Sequence, residues 1–147
     1  MTDAAGIAAF FTADHRACDA SWASVEAAVE AGDDAVALAA WTAFDGSLRR
    51  HLDMEEQVLF PAIVAAGGPS QGPLQVMLME HQQMRGVLDA MAGCADAGDF
   101  EALADHGDTL LMVIQQHNAK EEMIVYRMAE QLLGHRWAEL QPKLARY

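Results

Sequence analysis

At 147 residues with 52% hydrophobic side chains, the chain is long enough to bury a core without disulfides and reads as one domain over 1–147. Nine Lys and Arg against 22 Asp and Glu give a net charge of −13, which repels phosphate backbones and anionic lipid heads and excludes nucleic acid and membranes as expected partners. No apolar run reaches the roughly 18 residues of a membrane span, and Asp3, Asp14 and Arg16 interrupt the stretch a signal peptide needs, so a soluble cytoplasmic protein is expected.

Alanine is abundant, while glycine and proline gather at a few places, which predicts an all-α chain. The breaks are Ala31-Gly32-Asp33-Asp34, the run Gly67 to Pro73, and Ala97-Gly98-Asp99; each pairs a glycine stop with a capping or proline start. They predict helices over 4–31, 34–66, 73–96 and 99–133, with Gly134 ending the last. Short connections make this an up-and-down antiparallel four-helix bundle.

Alternating three- and four-residue spacing then picks the inward face of each helix. The first gives Ala8, Phe11, His15, Cys18, Trp22, Val25 and Val29; the second Trp41, Phe44, Leu48, His51, Glu55, Val58 and Ala62. The third gives Leu74, Met77, His81, Met84, Leu88, Met91 and Ala95, and the fourth Leu103, Gly107, Leu110, Ile114, His117, Glu121, Ile124 and Met128. Each stripe is apolar except in its middle.

Four histidines and two glutamates thus take core positions. Helical rise places His15 and His51 at nearly equal heights from the first turn, and His81 and His117 likewise from the third. An unpaired buried carboxylate costs several kcal/mol, and no Lys or Arg shares these positions, so a bound cation is the economical counter-charge. His51 with Glu55 and His117 with Glu121 form two HxxxE pairs, whose four-residue step returns to one helix face. Imidazole and carboxylate suit iron, manganese or zinc, and a carboxylate can bridge two ions.

On these residues the chain resembles the hemerythrin-like, or HHE cation-binding, family, with its pattern H…HxxxE…H…HxxxE over four helices. The resemblance implies two non-haem iron ions with an oxo or hydroxo bridge. One would be held through His15 and His51, the other through His81 and His117, with Glu55 and Glu121 bridging; zinc or manganese could take the same ligands. Oxygen-carrying members have HxxxH on the third helix, whereas here Met77 and Arg85 flank His81 at that spacing. The departure leaves one iron an open position. It implies a protein that binds dioxygen, nitric oxide or a peroxide for sensing or stress protection. The alternatives are iron storage or donation for iron–sulfur cluster repair, and an iron-dependent regulatory module; no protein partner is specified.

Around this set, Met77 and Met84 read as core fillers, and Arg85 as a solvated or snorkelling arginine, with a hydrogen bond to a bridging glutamate or an exogenous anion as the alternative. Glu56 and Glu122, one residue past each HxxxE glutamate, turn away to surface or supporting roles, and Glu80 reads as a flank residue that could orient a neighbouring imidazole. Tyr126, nine residues past His117, falls half a turn out of phase. His106 and His135 lie too far away to bind. Phe11, Trp22, Trp41 and Phe44 form core layers beside the metals or line a small-ligand path. Cys18 and Cys94 fall at different heights and stay free thiols.

Overall fold

The computed structural model describes residues 6–147, which are almost wholly helical and contain no strand. Asp3, Ala4 and Ala5, with the predicted helix start at residue 4, lie outside the described residues. Helix α1 spans Ile7–Glu30, α2 Asp34–Met54, α3 Phe60–Ala65, α4 Pro73–Asp96, α5 Phe100–Lys120, α6 Tyr126–Leu133 and α7 Trp137–Leu144. One π-helical turn, Glu55–Leu59, fuses α2 to α3, and another, Glu121–Val125, fuses α5 to α6. The result is four long rods in an all-α bundle, α1 packed along α2 and α4 along α5.

The turns form where the sequence signals them. Gly32 (φ 72°) and Gly98 (φ 69°) take the left-handed conformation that ends α1 and α4, which a side chain would strain. The next residue caps the following helix: Asp33 accepts from Val36 N at 3.1 Å and Asp99 from Ala102 N at 3.1 Å, satisfying donors at the helix start.

These paired details belong to an internal repeat. An offset of 66 residues carries α1 onto α4, α2 onto α5 and one π-turn onto the other, and takes Gly32-Asp33 to Gly98-Asp99. It also takes Asp14-His15 to Glu80-His81, His51 to His117 and Glu55-Glu56 to Glu121-Glu122. The molecule is two helical hairpins of one design, packed face to face.

The π-turns correct four predicted core positions. A π-turn holds one residue more than an α-turn, so every side chain beyond it moves on by one. Val58, Ala62 and Met128 are therefore only half-buried and Ile124 is exposed, while Leu59, Ile63, Val125 and Ala129 take the inward places. Upstream of the π-turns the predicted stripes hold, apart from Ala8 and Val29, which are half-buried beside buried Ile7 and Ala28.

Two apolar clusters result. One, toward the Gly32 and Gly98 turns, contains Trp22, Trp41, Phe44, Leu88 and Leu110; the other contains Phe11, Met54, Leu59, Met77 and Val125. The second is closed by α7, which the sequence reading missed: Gly134 opens a short 3-10 turn, Gly134–Arg136, and α7 then buries Leu140 and Leu144. Burying a side chain of that size contributes about 1.5–3 kcal/mol. Cys18 and Cys94 are free, as expected. No helix among the described residues is long and apolar enough to cross a membrane.

Candidate metal centre

Between the two clusters lies a polar layer. His15 (α1), His51 (α2) and His81 (α4), His117 (α5), with Glu55 and Glu121 at the first positions of the π-turns, are all buried, each glutamate completely. The structure brings together all six candidates from the sequence. They form two overlapping groups, His15, His51, Glu55 and Glu121, and Glu55, His81, His117 and Glu121; within each, one ligand atom per residue lies within 4.8 Å of the others.

Each carboxylate faces both groups. Glu55 Oε1 is 3.1 Å from His81 Nε2, and its Oε2 is 3.5 Å from His51 Nε2. Glu121 Oε1 is 3.0 Å from His15 Nε2, while its Oε2 is 3.1 Å from His117 Nε2 and 3.6 Å from His81 Nε2.

The outer nitrogens explain why the Nε2 atoms converge. Every Nδ1 donates to a carboxylate: His15 to Glu122 (2.8 Å), His51 to Asp14 (2.7 Å), His81 to Glu56 (2.7 Å) and His117 to Glu80 (2.9 Å). Such an acceptor orients the ring, selects the tautomer with a free Nε2 lone pair and raises its basicity. Three of the four carboxylates carry a cation in turn, Asp14 with Arg50, Glu56 with Arg85 and Glu80 with Lys120. Glu122 has no such pair among the described residues.

The inner atoms are under-satisfied. The Nε2 atoms of His51, His81 and His117, Glu55 Oε1 and Glu121 Oε2 are buried without a hydrogen-bond partner, the short distances above notwithstanding, because their alignment is poor. Orphaned buried polar atoms are costly, and five of them around one space fit a cation. Without one, protons must serve. Burial opposes the His51 cation, but the Glu55 charge and the Asp14 hydrogen bond outweigh it and lift its pKa to about 10. His81 is likewise opposed by burial and raised to about 11 by Glu121, Glu55 and Glu56. For Glu121, burial raises the pKa, but three surrounding histidines hold it well below the usual carboxylate range. The site is therefore built for positive charge at its centre.

Some neighbours take the supporting role that the sequence reading allowed them, and others correct it. Glu56, Glu122 and Glu80 are the imidazole acceptors, and Asp14, given no such role from sequence, is the fourth; its signal was its place one residue before His15, matching Glu80 before His81. Arg85 binds Asp53 and Glu56 instead of standing free in solvent. Met77 and Met84 are buried as expected, and His106 and His135 lie outside both groups.

Tyr126 is the main correction. The sequence reading put it out of phase, but the π-turn adds the missing rotation and buries it, its Oη donating to Glu55 Oε2 at 2.6 Å. The π-turn that does this starts at Glu121, and the α-helical period conceals it.

Fold and site together define a metal-binding helical bundle. The pattern of the Hemerythrin HHE cation binding domain matches residues 6–129, and the chain belongs to that family. None of the curated proteins and none of the solved structures matches it.

Proposed function

We propose that the chain binds two non-haem iron ions, one between His15 and His51 and one between His81 and His117, with Glu55 and Glu121 as ligands shared by both. The site would take up dioxygen, nitric oxide or a peroxide, for sensing or stress protection. One observation supports this above the others: each glutamate turns one oxygen toward each histidine pair, and five of these inner nitrogen and oxygen atoms are buried without a hydrogen-bond partner. Histidine and carboxylate donors of this number suit iron, with manganese and zinc able to occupy the same atoms.

When bound, iron would supply redox chemistry and a place for a small diatomic or peroxide ligand. The protein's part is to hold the imidazoles rigid through the four outer carboxylates, to exclude water with two apolar clusters, and to leave ligation incomplete. That reading is supported beside His81, where Met77 is packed into the core and the Arg85 guanidinium is engaged by Asp53 and Glu56, so that neither is free to serve as a further ligand. Metal analysis of protein purified without oxygen should find two irons per chain. Adding dioxygen or nitric oxide to the reduced protein should then produce new charge-transfer absorption; an unchanged spectrum refutes ligand uptake, and zinc alone in protein made with iron available refutes the iron assignment.

A further inference from the structure

The internal repeat gives the two histidine pairs matching His and Glu sets, but the residues packed beside them differ, and one of these differences places a hydroxyl at the site. His15 corresponds to His81, His51 to His117 and Glu55 to Glu121, but Phe60 corresponds to Tyr126. Both aromatic residues follow a π-turn and both are buried. The only chemical difference between them is one hydroxyl.

That hydroxyl does not point into the apolar cluster. Tyr126 Oη lies 2.6 Å from Glu55 Oε2, 3.0 Å from Glu121 Oε1 and 3.0 Å from His15 Nε2. These atoms, with His51 Nε2, face one metal position and not the other. Donors bound to one ion at about 2.0–2.2 Å stand close to 3 Å from their neighbours in the shell. The oxygen thus stands where a further corner of that shell would be. Its ring is locked between Phe11 (centroids 5.5 Å apart) and His15 (5.5 Å), so the position is built in. On the other side Phe60 lies against His81 with rings 5.7 Å apart and 24° from parallel, and it offers no donor.

We propose that Tyr126 Oη is a ligand of the ion held by His15 and His51, making the two metal positions unequal and leaving the open position at the His81/His117 ion, beside Phe60. On loading, the O–H bond of Tyr126 breaks as the oxygen–metal bond forms, and the proton leaves to solvent, as protic ligands require. The proposal rests on the two-iron reading above. It goes beyond it in naming a donor outside the six His and Glu side chains and in assigning the vacancy to one side.

The test uses the full chain, loaded with ferrous iron without oxygen and oxidised with ferricyanide. A phenolate bound to ferric iron gives an intense visible charge-transfer band with resonance-enhanced phenolate ring vibrations. Wild-type protein should show both. Tyr126→Phe, which keeps the ring and its packing, should lose both while retaining two irons and the helical circular dichroism. Two irons in the wild type without phenolate vibrations would overturn the proposal and leave the two-iron reading standing, as would vibrations that persist in Tyr126→Phe. Failure of the wild type to hold two irons would overturn both. The vacancy is probed with azide: Phe60→Tyr should weaken azide binding to the ferric protein by about tenfold or more, the scale on which groups around a site alter its affinity, and unchanged binding would overturn the placing of the open position.

Discussion

Glu55 and Glu121 each have two oxygens aimed at different histidine pairs, whereas each imidazole has one inward nitrogen. In the proposed site, therefore, removing a carboxylate disturbs both ions and exposes their mutual repulsion in a low-dielectric core, while removing an imidazole disturbs one. Glu55→Ala and Glu121→Ala should each lose metal from both positions, and His15→Ala or His81→Ala mainly from one. Metal per chain, with folding checked by circular dichroism, decides this; two tightly held ions in either glutamate variant would make the carboxylates terminal or outer groups. One turn along from His15, the Cys18 thiol behaves differently from a ligand. Burial, with Asp14 nearby, pushes it up to about 12, so almost no thiolate exists at neutral pH. In the native protein a thiol reagent should modify half-buried Cys94 well before Cys18; equal rates would mean that α1 opens readily.

At the scale of the helix, the π-turns do two things at once. They begin at Glu55 and Glu121, and they shift the remainder of each rod by one residue, which exposes Ile124, buries Val125 and swings Tyr126 inward. A stripe read at α-helical period is therefore sound before each turn and off by one after it. The signal lay in the repeat: the same apparent break in rhythm occurs twice, 66 residues apart, each time just beyond an HxxxE pair. A second fit between helices sits at Gly107 of α5, where a Cβ would overlap Cη2 and Cζ2 of the Trp22 ring from α1. Alanine favours helix by up to about 1 kcal/mol, but overpacking a core costs about 1–3 kcal/mol. Gly107→Ala should therefore lower the urea midpoint, and a stabilised variant would show that Trp22 has room to move. By contrast, Gly46, Gly86 and Gly93 meet nothing within 4 Å. Alanine at those three should raise stability slightly.

For the molecule as a whole, the polar layer divides the core, so its charge balance affects the entire bundle. Bound metal at a thousandfold over its Kd adds about 4 kcal/mol of stability. At about 2–4 °C per kcal/mol for a chain of this size, chelation should lower Tm by roughly 10 °C or more. Raised pKa values at His51 and His81 let protons replace part of the lost charge, so the chelated protein should remain helical at neutral pH. Calorimetry with and without chelator checks the first statement and circular dichroism the second; identical melting of both forms would mean that the six side chains do not enclose ions.

The all-α class, the three turns, the inward faces upstream of the π-turns and the convergence of His15, His51, Glu55, His81, His117 and Glu121 were all legible in the sequence. Each rests on local chemistry: capping residues and glycines end helices, and side chains three or four apart share a face whatever packs against it. Tertiary structure decided what depends on a second element. Which carboxylate backs which imidazole follows from neighbouring helices, since Asp14 on α1 serves His51 on α2, and Glu122 in the π-turn after α5 serves His15 on α1. Whether Tyr126 faces the site turned on a single extra residue in one helical turn, which costs local regularity and persists because of the packing around it. The sequence contains that residue, but only the assembled bundle shows on which side of the helix it is absorbed.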